Sequence, residues 1–173
     1  MNKFKTLVLI AIIAIGVNGF SQTKTDALRD AKITSTASLE MNFETVLKHT
    51  LPSVLDMMGG KDNALKVIES TFENMKTQGF VFEKADINGV SEIVKEQGQY
   101  RCVVEGFNQM VMAGQRISSK SYLLGIYNDA DNYWWFIEAK QFKNDALKDQ
   151  ILPNFETALE IPDDDLKVEP IEN

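Results

Sequence analysis

The sequence predicts an α+β domain in which N-terminal helices pack on one face of a strongly curved antiparallel sheet. Two observations carry the class. Apolar residues recur at helical spacing as far as Gly79, and beyond it the period falls from 3.6 to 2 for about sixty residues, with turn residues between the strand-like runs. A third gives the curvature, since Gly106 and Gly125 lie inside long strand-like runs, where glycine suits a bulge or a sharp bend.

Residues 1–21 have the layout of a cleaved secretory signal: Lys3 and Lys5, an apolar run from Leu7 to Val17, then Gly19-Phe20-Ser21. The run is eleven residues, whereas a membrane-spanning helix needs roughly 20. The expectation is therefore an exported chain, periplasmic or extracellular, with no membrane insertion after cleavage. A lipid-anchored form would need a cysteine at the cut, and the single cysteine is Cys102.

Thr23 followed by Asp26 opens a helix over roughly Lys24 to Leu39, whose apolar positions Ala27, Ala31 and Ala37 are small. Asn42 caps a second, shorter helix through Phe43, Val46 and Leu47, and Pro52 limits its continuation. A turn through Val54, Leu55 and Met58 meets Gly59-Gly60, and Asp62 is positioned to cap the clearest helix, Asn63 to Gln78. There Leu65, Ile68, Phe72 and Met75 share one face, a stripe that reads as core.

Strands are predicted over Phe80 to Ile87, Val90 to Val94, Tyr100 to Met112, Arg116 to Tyr127 and Tyr133 to Ala139. Asn88-Gly89, Gln97-Gly98, Ala113-Gly114 and Asn128 to Asn132 supply the turns. Asp145 to Ile151 reads as a last short helix stopped by Pro153. The organisation expected is a signal at 1–21, one α+β domain at 22–162 and an acidic disordered tail at 163–173.

The formal net charge of −7 repels phosphate backbones, so nucleic acid is not an expected partner. A lone cysteine forms no internal disulfide, and Cys102 within an alternating run reads as a small buried hydrophobe. No metal site or cofactor is expected: His49 is the only histidine, and no phosphate loop or nucleophile elbow is present. Asn128-Asp129-Ala130-Asp131-Asn132 lacks the glycine and closing glutamate of an EF-hand and reads as a hairpin loop.

No catalytic residue is assigned. His49 is the single candidate general base, set against a structural role at a helix C-terminus. Asp86, Tyr100, Tyr122 and Glu138 lie on strands and could face inward. Tyr133-Trp134-Trp135-Phe136-Ile137 is bulky and apolar on both alternating faces, so both faces should be covered. With helices on one side, a second copy is the simplest cover for the other, giving a homodimer through the outer sheet face.

Leu51-Pro52-Ser53-Val54, Gly59-Gly60-Lys61, the helix ending Met75-Lys76-Thr77-Gln78-Gly79-Phe80, and the hairpin Ser121 to Ile126 with Trp134 to Glu138 carry a family resemblance. So does the ending Ile151-Leu152-Pro153 with Leu159-Glu160-Ile161-Pro162. In these the chain resembles small secreted bacterial members of the NTF2-like superfamily, also called the SnoaL-like or cystatin-like cone fold. The resemblance implies a bent sheet wrapped around N-terminal helices. It does not select a chemistry, because members of that superfamily include isomerases, cyclases, dehydratases and non-enzymatic binding domains.

The reading favoured is a non-enzymatic binding or association module with an apolar pocket for a small apolar ligand. Pairing Ile126 with Trp134 places Tyr122 beside Glu138 and Leu124 beside Phe136, and Tyr100, Tyr122, Trp134 and Phe136 become the expected pocket lining. A shift of one residue would reverse that choice. The alternatives are an isomerase or lyase using Asp, His or Tyr in the pocket, and a structural partner of an envelope protein.

Overall fold

The computed structural model describes residues 22–171, and the expected signal segment lies outside them. Helix α1 (Lys24–Leu39) begins where Thr23 accepts a hydrogen bond from the Asp26 N–H. Its small residues let it lie close to the sheet: Ala27 and Ala31 are buried against Cys102, Val104, Tyr127, Trp134 and Phe136. Asp30 shares that buried face, and its Oδ2 accepts the Trp134 N–H at 3.0 Å.

Helix α2 (Phe43–Lys48) is capped by the Asn42 side chain, and α3 (Pro52–Met57) starts with proline at its first turn, where no N–H is needed. The fourth helix, α4 (Lys61–Thr77), begins two residues earlier than the sequence suggests. Gly60, at φ 93°, is its N-cap in place of Asp62, which lies in the first turn. Glycine tolerates that conformation and lets the chain reverse directly into the helix.

Six strands form one open antiparallel sheet: β1 (Val81–Val90), β2 (Val94–Glu96), β3 (Gln99–Met112), β4 (Gln115–Asn128), β5 (Tyr133–Glu138) and β6 (Asp165–Pro170). The long β3–β4 hairpin is its spine, with twelve residue pairs from Arg101↔Ile126 to Met112↔Gln115. β1 and β2 share the free side of β3, while β5 and β6 share that of β4. Ala113 and Gly114 both take positive φ, the geometry of a two-residue type I′ hairpin.

The bulges fall elsewhere than expected. Register is continuous through Gly106 and Gly125, and the irregularities lie in β1, at Phe82/Lys84 and Ile87/Gly89. Asn88-Gly89 is thus a bulge inside a strand rather than a turn. Gly125 is present for space: a Cβ there would stand 2.8 Å from Cys102 Sγ and 3.3 Å from the Phe136 ring.

The β4–β5 register is Ile126↔Trp135, one residue from the expected pairing. Trp134 and Phe136 accordingly share the helix face with Tyr127 and Gly125. Tyr122, Leu124 and Ile126 share the opposite face with Trp135 and Ile137. That second face is covered by the same chain: a 3₁₀ turn (Ala139–Lys143), helix α5 (Asp145–Ile151) and the segment beyond bring Phe142, Ile151 and Phe155 onto Val103, Tyr122 and Leu124. A second copy is not required to bury it.

Buried Arg101 pins this cover. Its guanidinium donates to the Glu156 carbonyl at 2.8 Å and to Gln99 and Gln97, and it lies 4.6 Å from the centre of the Phe155 ring. The tail expected to be disordered from 163 instead contributes β6, paired with Gln115 to Lys120 of β4 through backbone bonds while its own side chains stay exposed. Among the described residues no helix is long and apolar enough to cross a membrane.

Candidate functional site

Helices α1, α2 and α4 do not fully close onto the sheet, and between them lies a cavity of about 420 Å³. Its apolar wall comes from Phe43 and Val46 of α2, Ile68 and Phe72 of α4, and Leu123 and Phe136 of the sheet. Phe43 and Phe72 meet at 4.8 Å between ring centres, and Phe72 contacts Phe80 edge-on at 5.7 Å, so the aromatic side is a packed chain of rings. The small residues of α1 leave room opposite, where Gly106 also exposes bare backbone.

His49, the C-terminal cap of α2, forms part of the wall and is 3 % exposed. Its Nδ1 lies 2.8 Å from the Trp134 carbonyl oxygen. A carbonyl only accepts, so Nδ1 carries the proton and, in the neutral ring, Nε2 is left as an acceptor. The Phe136 N–H returns to the His49 carbonyl at 2.7 Å, and Thr50 bridges to Phe136, which docks the α2–α3 connection on the edge of β5.

Glu138, at the end of β5, lines the same cavity. Its Oε2 has no solvent contact and no hydrogen-bond partner, and Lys140 Nζ stands 3.6 Å away. Burial pushes its carboxyl above the ordinary glutamate range; Lys140 opposes that rise and Asp164 adds to it. Lys140 also pairs with Asp164 at 3.2 Å, so one ammonium faces two carboxyl groups.

The residues expected to line a pocket separate. Phe136 is in the cavity wall. Trp134 is fully buried beneath α1, Tyr122 packs on the opposite face because of the one-residue register difference, and Tyr100 is half-buried with Lys95 Nζ 4.7 Å from its ring centre. Asp86 reaches the cavity rim, but its carboxylate is bound to Lys84 at 2.8 Å. Phe43, Phe72 and the hydroxyls of α1 were not singled out in the sequence; the Ile68-Phe72 spacing was the available signal, and it reads equally as core.

Cys102 is wholly buried, and burial pushes its thiol up to about 12, which leaves it a packing group. The Asn128–Asn132 loop is closed by its own side chains, with Asn128 accepting from the Ala130 N–H and donating to Asp131. No family model, curated protein or solved structure matches this chain.

Proposed function

We propose that this is an exported NTF2-like domain that binds a small, mainly apolar molecule between its helices and its sheet. One observation carries the reading: between the helices and the sheet lies a cavity of about 420 Å³ with aromatic and aliphatic walls and a few placed polar groups. That size lies inside the range of roughly 300–1,000 Å³ usual for small-molecule sites, which combine apolar lining with sparse polar anchors. The experiment is native mass spectrometry of the full-length product purified without detergent from the cells that make it. A retained small apolar molecule supports binding; a ligand-free mass together with failure to take up a neutral apolar dye contradicts it.

A second reading, an isomerase or lyase, is favoured by the placement of His49 and Glu138 on one wall. Burial raises the Glu138 carboxyl above the usual carboxylate range, the direction that general acid work needs, and His49 Nε2 is suited to accepting a proton. Turnover of the retained molecule that is lost in both His49→Ala and Glu138→Gln would establish it over simple binding. The association readings lose the observation that prompted them, because the chain itself covers the second face of the Trp134 strand.

A further inference from the structure

The chemistry of the cavity's polar groups is one-sided. Each hydroxyl has a single proton to give, and four of the hydroxyls in the wall have already given theirs to backbone carbonyls: Thr34 to Asp30 at 2.9 Å, Ser35 to Ala85 at 2.6 Å, Ser38 to Thr34 at 3.0 Å and Thr50 to Val46 at 2.9 Å. What they retain for a ligand is lone pairs. His49 is fixed by the Trp134 carbonyl with its proton on Nδ1, which leaves Nε2 accepting. Glu138 adds a carboxylate.

Donors in the same wall are few and neutral. The Asn108 amide gives one of its two N–H protons to Ser121 Oγ at 3.4 Å, which leaves its second N–H, the Ser121 hydroxyl and the Gln141 amide. The cations beside the wall are already paired: Lys140 is shared between Glu138 and Asp164, and Lys84 binds Asp86 at 2.8 Å. A bound carboxylate would bring two more acceptors and a negative charge into a site that has carboxyl groups but no cation in its wall to meet it. Leaving such a group unpaired on burial is costly.

We propose that the cavity selects an apolar amine: a hydrocarbon body seated among Phe43, Phe72 and Leu123, with an ammonium head donating to the hydroxyl oxygens, His49 Nε2 and Glu138. This rests on the binding reading given above and narrows its ligand class. An ammonium offers three donors and a positive charge, which complement the wall on both counts. An alcohol of equal length satisfies the hydrogen bonds without the charge, and a carboxylate satisfies neither.

The test is calorimetric titration of the protein with octylamine, octanol and octanoate at neutral pH, repeated on Glu138→Gln. The expected order is amine, then alcohol, then carboxylate, with octylamine bound at least about tenfold more tightly than octanoate. Glu138→Gln should weaken octylamine by about five- to tenfold and leave octanol within about twofold. Octanoate binding as tightly as octylamine, or octylamine affinity unchanged in Glu138→Gln, overturns the amine assignment while leaving an apolar pocket standing. Failure of all three probes to bind overturns the pocket reading together with it.

Discussion

The imidazole of His49 and the carbonyl of Trp134 are joined by a 2.8 Å hydrogen bond, with the ring nitrogen donating across 85 residues of sequence. The bond holds the end of α2 against β5, because Phe136 returns its N–H to the His49 carbonyl one step further along. It also sets the tautomer, so that in the neutral ring Nε2 is an acceptor.

His49→Ala should therefore destabilise the fold by about 2–4 kcal/mol, combining a buried carbonyl that loses its partner with a void at the cavity wall. Urea unfolding measures this. A loss below about 0.5 kcal/mol would mean that the ring is not part of the docking of α2 on β5.

Gly125→Ala should cost about 1–3 kcal/mol, since the added methyl meets Cys102 Sγ at 2.8 Å, between the Phe136 and Trp134 rings. Combining it with Cys102→Ala removes the closest atom, so the double variant should lose less than the sum of the two single losses. A double-mutant cycle with no coupling would contradict this packing.

Arg101→Met keeps the bulk of the stem but removes the donors to Glu156, Gln97 and Gln99. The expected loss is about 1–3 kcal/mol, because the buried guanidinium's hydrogen bonds are lost while its partners, half-buried or exposed, can turn to water. Hydrogen exchange should show protection falling around Phe155 to Leu159 before it falls in α1. Arg101→Lys should not restore it, as an ammonium lacks the planar fork.

Two glutamates give opposite contributions to stability across acid pH. Burial acts to raise Glu96, but the Thr157 hydroxyl, the Ala158 N–H and Arg101 outweigh it and hold the carboxyl below its ordinary range. A depressed folded value stabilises the protein above the unfolded glutamate pKa, about 4.3, and that contribution is lost as pH falls through the folded value. Glu138 is raised, so its favourable contribution is complete below about 4.3 and is lost as pH rises through its folded value. Glu138→Gln should then gain stability over the parent at pH 7 and show little difference at pH 3, and Glu96→Gln should lose stability at pH 7 with the difference shrinking toward pH 3. Thermal melts at both values decide the signs.

Much of the helical part was legible because its signals are local. Thr23 and Asn42 cap the helices they were expected to cap, and the bounds of α1 agree with the reading from sequence. The β4–β5 register was not, because the closing loop is shaped by Asn128, whose side chain grips Ala130 and Asp131. Either register leaves an apolar strand apolar on both faces, so patterning could not choose. Strand β6 was missed for a different reason: Leu166 and Val168 do alternate, yet they bury nothing, and the strand is held by backbone bonds that composition does not report. The cavity draws its walls from four helices and four strands, and each apolar wall residue looks like ordinary core when taken singly.

Methyl-resolved NMR during titration with octanol tests most directly whether the cavity on the helix side of the sheet takes up an apolar molecule. Val46, Ile68 and Leu123 line the cavity, while Val103, Ile151 and Ile161 pack on the opposite face. Saturable shifts confined to the first group are the predicted result. Shifts confined to the second group, or none in either at saturating octanol, would contradict it.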